Sequence, residues 1–162
     1  TQPLNKMIRK YFLSFLFIIL FFCIDRISKL LVIKVANDNG EMYMNVTSFL
    51  DLNLIWNEGI AFGLFSFDQE FYYNLLTTFI FLIILIITYI MFRSKGFEKF
   101  CYIMIIGGSL GNIFDRIYYS AVPDFIDIYF NNFHWFIFNV ADIFITVGII
   151  ILISLEFLKK EI

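Results

Sequence analysis

The sequence predicts a membrane protein, mainly α, with four transmembrane helices and a small β-sheet on the outer face, all within a single integral membrane domain over residues 1–162. Three observations predict it. The chain is 60% hydrophobic and 21% aromatic with a mean hydropathy of +0.82, more apolar surface than a soluble domain of 162 residues could hide. Its apolar runs reach bilayer length. Most of its 12 Lys and Arg residues gather in the N-terminal tail, a turn at 93–99 and the C-terminal tail, which puts those three segments on the cytoplasmic side.

The first helix is expected over about 11–33, behind Lys6, Arg9 and Lys10; at ~1.5 Å per residue it crosses a hydrocarbon core of ~30 Å. A basic start before an apolar run also describes a signal peptide, but the run is too long and no A-x-A-like site follows it. Asp25 and Lys29 stand four apart near the outer end, on one face and in the favourable acid-first order. Arg26 and Lys34 read as helix-end residues that snorkel toward the interface.

Residues 34–70 form an outer loop rich in acids, and within it Leu50, Leu52, Leu54 and Trp56 alternate with Asp51, Asn53, Ile55 and Asn57. That period of two predicts the small sheet. The glycines of Asn57-Glu58-Gly59-Ile60-Ala61-Phe62-Gly63 permit a tight turn. The run 71–92, free of charged residues and histidine, is the most secure span. A third helix is expected over 100–118, where Gly107 and Gly111 allow close helix packing. Asn112, Asp115 and Arg116 follow at i, i+3, i+4, so they share a face and must point into the bundle, because lipid offers them no partner. Residues 119–137 form the second outer loop, carrying Asp124 and Asp127. The fourth helix is expected over 138–158, with Asn139 as a cap and Asp142 in its first turn.

Ionisable groups in membrane sequence cost at least ~2.5–3.5 kcal/mol each on insertion scales, so a cluster of them between Gly107 and Asp142 points to a functional site. A structural polar network, the lining of a pore, or simple helix capping by Asn139 and Asp142 are the bland alternatives. Two carboxylates close together in a poorly solvated site cannot both ionise cheaply, so one serves as acid and the other as base. Such a pair can activate water against a peptide carbonyl without metal or covalent intermediate, and Asp124 and Asp142 are the best candidates. No Ser or Cys with a partnered base is evident, and His134 beside Trp135 reads as an interface anchor. Asp124, Asp127 and Asp142 could in principle ligate a divalent ion, but nothing else in the sequence motivates a metal. Cys23 and Cys101 lie in apolar runs without metal-like spacing and read as small core residues. No P-loop, zinc pattern or dinucleotide fingerprint occurs, and no basic patch suggests nucleic acid.

Taken in order, DRISK (25–29), NEGIAFG (57–63), GGSLGNIFDR (107–116), VPDFID (122–127) and FNVAD (138–142) resemble the motifs of the bacterial lipoprotein signal peptidase family, signal peptidase II. The likeness covers nearly the whole chain. It implies a multi-pass enzyme of the cell inner membrane with both termini cytoplasmic, the sheet on the periplasmic face and the active site near the outer leaflet. The implied activity is that of an aspartyl endopeptidase, acting on prolipoproteins whose lipobox cysteine carries diacylglyceryl and cutting just before that cysteine. The resemblance makes Asp124 and Asp142 the catalytic dyad and sets Asn57, Gly59, Asn112, Arg116, Asn139 and Ala141 around dyad and substrate. Asp25 and Lys29 would support the site, and Asp115 would pair within the same network. It further implies membrane phospholipid and globomycin-type inhibitors as partners, no cofactor, no metal, no nucleic acid and a monomer. Three positions depart from the family pattern: Arg26 stands for a usual glutamine, Ser109 for a common alanine, and Pro123 for a small aliphatic residue. Pro123 removes an N–H donor and fixes φ just before Asp124.

Rival readings come from other classes. A channel or transporter would spread charges through the bilayer depth and usually carry internal repeats, neither of which is seen here. A metal-dependent hydrolase would lose activity to chelator, and a non-catalytic lipoprotein-binding scaffold would tolerate loss of Asp142.

Overall fold

The computed structural model describes residues 2–59, 69–131 and 133–160, with side chains over 11–59, 71–131 and 133–159. Ile60, Ala61, Phe62 and Gly63 of the NEGIAFG segment lie outside the described residues. In chain order the elements are α1 (Gln2–Asn39), β1 (Tyr43–Thr47), β2 (Leu50–Asn57), α2 (Gln69–Arg93), α3 (Gly96–Tyr119), β3 (Val122–Phe130), β4 (Phe133–Phe138) and α4 (Val140–Lys160). The four strands form one sheet in the order β1-β2-β3-β4, each pair antiparallel.

The helices are inverted relative to a water-soluble bundle. Asp25, Lys29 and Asp115 are wholly buried, whereas Phe15, Leu31, Phe79, Ile86, Ile117, Ile150 and Phe157 stand exposed. An apolar exterior of this extent suits lipid rather than water. By length and composition, two of the described helices, Phe71–Arg93 and Val140–Lys159, qualify as membrane spans. α1 and α3 carry the buried charges within otherwise apolar sequence.

α3 packs against all three other helices. Its core partners include Phe21 of α1, Ile84 and Met91 of α2 and, on α3 itself, Ile103, Ile106 and Ile113. Glycines set how closely the neighbours approach. A Cβ at Gly108 would lie 2.6 Å from the Ala141 carbonyl oxygen of α4, and one at Gly111 would collide with the Asp25 carboxylate of α1. The small residues therefore decide which polar groups can meet between these helices.

Two parts of the architecture differ from expectation. Residues 34–39, expected in the outer loop, continue α1, because Val32, Val35 and Ala36 at i, i+3, i+4 make an apolar strip that packs against Met42, Leu52, Leu54 and Phe125 of the sheet. The helix stops before Gly40, whose φ of +84° is in the left-handed region. The second outer connection, expected as a loop, is a β-hairpin over most of its length. β3 begins two residues after the αL residue Ser120, pairs with Phe133–Phe138 and turns back at Asn131, φ +54°. Asparagine tolerates that conformation, and Phe130 pairs with Phe133 across it. Half of the sheet thus comes from this hairpin, which delivers Asp124 on one strand and Asn139 just past the other. Pro123, buried opposite Trp56, precedes the part of β3 that pairs with β4, so on that side there is no ladder for its missing N–H to interrupt.

Candidate active site

α4 begins with a reciprocal cap. Asn139 precedes the helix, and its Oδ1 accepts the Asp142 N–H at 3.1 Å while Asp142 Oδ2 accepts the Asn139 N–H at 3.1 Å. This is the capping box, with aspartate in place of the usual glutamate. Capping does not exhaust either residue. Asn139 Nδ2 donates to Asp124 Oδ1 at 2.6 Å, and Asp142 Oδ1 accepts from Asn112 Nδ2 at 2.8 Å. One wholly buried asparagine therefore bridges the two candidate carboxylates, from the hairpin to the helix.

Three asparagines surround the pair, and each is oriented by a donor behind it. Asn139 has its oxygen on the Asp142 N–H. Asn57, at the end of β2, has its oxygen on the Gly59 N–H at 2.8 Å, where Gly59 takes φ +74°, and so presents Nδ2 to Asp124 Oδ2 at 2.9 Å. Asn112 has its oxygen on the Lys29 ammonium at 2.7 Å. An amide whose oxygen is occupied by a donor must turn its NH2 the other way, and in all three cases that way is a carboxylate.

Asp124 is 4% exposed, and loss of water around it pushes its carboxyl above the ordinary carboxylate range. The bonds from Asn57 and Asn139 oppose that rise, and the nearby Asp142 charge adds to it. Asp142 is less buried and opens on a cavity of about 210 Å³ lined by Phe136, Phe138, Ile143, Thr146 and Val147.

Behind the pair lies a closed ionic network. The Lys29 ammonium spends its three N–H bonds on Asp25 Oδ2 (2.8 Å), Asn112 Oδ1 (2.7 Å) and Asp115 Oδ2 (2.7 Å). Asp25 Oδ1 accepts the Ala141 N–H at 2.9 Å, which ties α1 to the positive end of α4. Asp115 also pairs with Arg26. Arg26 corrects the snorkelling expectation: it is buried, with its guanidinium 4.7 Å from the Phe114 ring centroid. The usable signal was its spacing to Lys29, since residues three apart share a helix face. Arg116 donates to the Asn112 carbonyl at 3.3 Å, while its buried Nε has no partner among the described residues.

The structure thus gathers Asp124, Asp142, Asn57, Asn112 and Asn139 by direct hydrogen bonds, with Lys29, Gly59 and Arg116 one hydrogen bond further out, Asp25 and Asp115 beyond Lys29, and the Ala141 N–H on Asp25. Asp127 goes elsewhere. It lies opposite Asp51 in the sheet, with its Oδ2 2.7 Å from His134 Nδ1, and His134 stacks on Tyr129 rather than serving only as an interface anchor. Among the described residues, no three His, Cys, Asp or Glu side chains come together as metal ligands.

Residues 17–158 match the family model described as signal peptidase (SPase) II. A lipoprotein signal peptidase of Pelagibacter ubique is 46% identical over 154 residues, covering 94% of this chain and 93% of that protein. One from Anaplasma phagocytophilum is 36% identical over 157 residues, covering 94% and 97%. Two solved structures of bacterial membrane enzymes superpose with TM-scores of 0.63 and 0.65 at 27% identity. The first alignment covers 91% of this chain and 88% of the solved one, the second 88% and 91%.

Proposed function

The chain belongs to the signal peptidase II family of bacterial membrane proteases, and from that premise we propose that it removes signal peptides from diacylglyceryl-modified prolipoproteins by an aspartyl mechanism at Asp124 and Asp142. The observation that carries the reading is the Asn139 bridge, which holds two carboxylates from different elements in one hydrogen-bonded unit. Asp124, pushed up by burial, keeps the proton and gives it to the scissile carbonyl oxygen. Asp142, the more open of the two, takes a proton from the attacking water. The resulting diol then collapses: its C–N bond breaks as Asp142 passes its proton to the leaving cysteine nitrogen, and one diol hydroxyl returns its proton to Asp124, which restores both carboxyls.

Four spans suit this chemistry. The sheet caps one end of the bundle, where α1 and α3 finish and α2 and α4 begin, and the basic tails and the 93–99 turn belong to the other end. With the basic end cytoplasmic, the dyad sits near the outer leaflet of the inner membrane. A substrate anchored by its own acyl chains reaches such a site laterally. Arg116, with an unpartnered Nε beside Asn112, is suited to hold a substrate carbonyl or lipid ester, and globomycin-type inhibitors would compete for the same place. The protein works as a monomer in this reading, since the dyad and its supports all come from one chain.

The test is cleavage of a diacylglyceryl-modified prolipoprotein by the purified protein in detergent, read as a gel shift. Wild type cuts in the presence of EDTA, while Asp124→Asn and Asp142→Asn remain folded and inert. Cleavage by either variant removes that aspartate from the mechanism, and loss of wild-type cleavage in EDTA, restored by metal, replaces the mechanism with a metal-dependent one. Arg116→Ala is expected to remain membrane-inserted and to impair cleavage.

A further inference from the structure

The network behind the dyad does more than neutralise charge. Asp25 and Asp115 already balance Lys29 and Arg26, so the ion pairs are complete without Asn112. The third N–H of the Lys29 ammonium nevertheless goes to Asn112 Oδ1 at 2.7 Å, and the other end of that amide reaches Asp142 Oδ1 at 2.8 Å. We propose that Lys29 is a positioning residue for the cleavage: its buried ammonium dictates which end of the Asn112 amide meets Asp142, and so fixes the base of the dyad.

The chemistry leaves no second arrangement. An ammonium donates three hydrogen bonds and accepts none, so only the oxygen of Asn112 can face Lys29. A flipped amide would set an NH2 against the ammonium and a carbonyl oxygen against the Asp142 carboxylate, two repulsive contacts in a low-dielectric site. Lys29 of α1 is wholly buried against α3, where its other two N–H bonds on Asp25 and Asp115 hold it in place. Asp142 Oδ2 is held by the Asn139 N–H, so the contact on Oδ1 is the one that stops rotation of the carboxylate. Gly111 contributes from behind, because any Cβ there would displace the Asp25 carboxylate that takes another N–H of Lys29.

This inference rests on the proposed cleavage and is tested apart from it. Lys29→Met alone strands Asp25, so the informative variant is Lys29→Met with Asp25→Asn, which keeps the network neutral and leaves Arg26 on Asp115. With Asp25→Asn as the control, the pair is expected to lose at least about tenfold in kcat with KM unchanged, the signature of a misoriented catalytic group. Adding Asn112→Ala to the pair is expected to lose nothing beyond Asn112→Ala alone, because Lys29 acts through that amide. Full kcat in the folded pair, or losses that multiply with Asn112→Ala, overturns the proposal. If the pair does not fold, Asn112→Asp decides: it keeps an acceptor for Lys29 and sets an oxygen against Asp142, so its kcat should fall below that of Asn112→Ala. A kcat equal to or above that of Asn112→Ala overturns the proposal. Failure of the wild type to cut any lipid-modified prolipoprotein is a different result, since it removes the proposed function itself.

Discussion

Two polar clusters sit in this protein, and they are built to different standards. The inner one joins Asp25, Arg26, Lys29, Asn112 and Asp115 between α1 and α3, and both oxygens of each aspartate and every N–H of the lysine are matched. The outer one joins Asp51, Asp127, His134, Tyr129, Asn45 and Tyr43 on the sheet. There Asp51 and Asp127 stand directly opposite each other, Asp127 Oδ1 has no partner among the described residues, and the His134 side chain is 55% exposed. The surroundings differ. The outer carboxylates are buried, but their partners His134, Tyr43 and Asn45 stand exposed at the sheet surface, whereas the inner groups are enclosed by helices and lipid and must find every bond within the protein.

The comparison breaks most visibly if the inner cluster proves tolerant. Asp115→Ala leaves Arg26 short of its carboxylate and Lys29 short of one of its two, and removal of one partner from a buried ionic network costs ~3–5 kcal/mol. Unfolding in detergent, followed by a thermal shift assay, should show most of the protein's stability lost. Gly111→Ala is the next effect in size. Its Cβ would run into the Asp25 carboxylate, and overpacking of this kind costs ~1–3 kcal/mol. Alanine is otherwise the better helix former, so a neutral or stabilising result would show that α1 and α3 can move apart freely.

The proposed dyad pairs a buried carboxyl, Asp124, with a partly exposed one, Asp142, and the buried one titrates accordingly. Folding raises the Asp124 carboxyl, mainly by burial, so the native state holds a proton that the unfolded chain releases. The stability contribution is therefore present below the ordinary carboxyl range and lost as pH rises through it to the raised native value. Asp124→Asn should abolish that decline along with cleavage. Asn57→Ala removes a donor that favours ionised Asp124, so it should move the alkaline limb of the kcat/KM profile upward. An unmoved limb would assign it to another group.

Much of the inner cluster was legible in the sequence because helical spacing is local: Asp25 with Lys29, and Asn112 with Asp115 and Arg116, declare a shared face by number alone. Arg26 reads as a snorkelling residue because it stands toward the outer end of an apolar run, and only its spacing of three to Lys29 hints at the shared face. The sheet was half legible. The alternation of 50–57 announced β2, but Val122–Phe130 hides its period behind Pro123, a register shift after Asp127 and apolar residues on both faces. Spacing alone reads Asn139 as a cap, and the family resemblance sets it around the dyad without giving its contacts. That the same amide also reaches Asp124 depends on the hairpin's return path, which no local pattern encodes.

The smallest expected effect lies in the outer cluster and is the sharpest check on the role of water. His134→Ala removes the half-exposed partner of a buried carboxylate but opens Asp127 to water where the imidazole stood, so the cost is expected to stay within ~1 kcal/mol and to shrink with salt. Asp127→Asn removes one of two carboxylates that face each other across β2 and β3, and leaves an amide that can still meet the imidazole. Both should keep melting temperature and cleavage close to wild type, although Asp127 is as deeply buried as Asp124. A large loss from Asp127→Asn would mean that the sheet holds its shape through this cluster. The hairpin would then be the part that positions Asp124, and the inner network alone would not account for the geometry of the site.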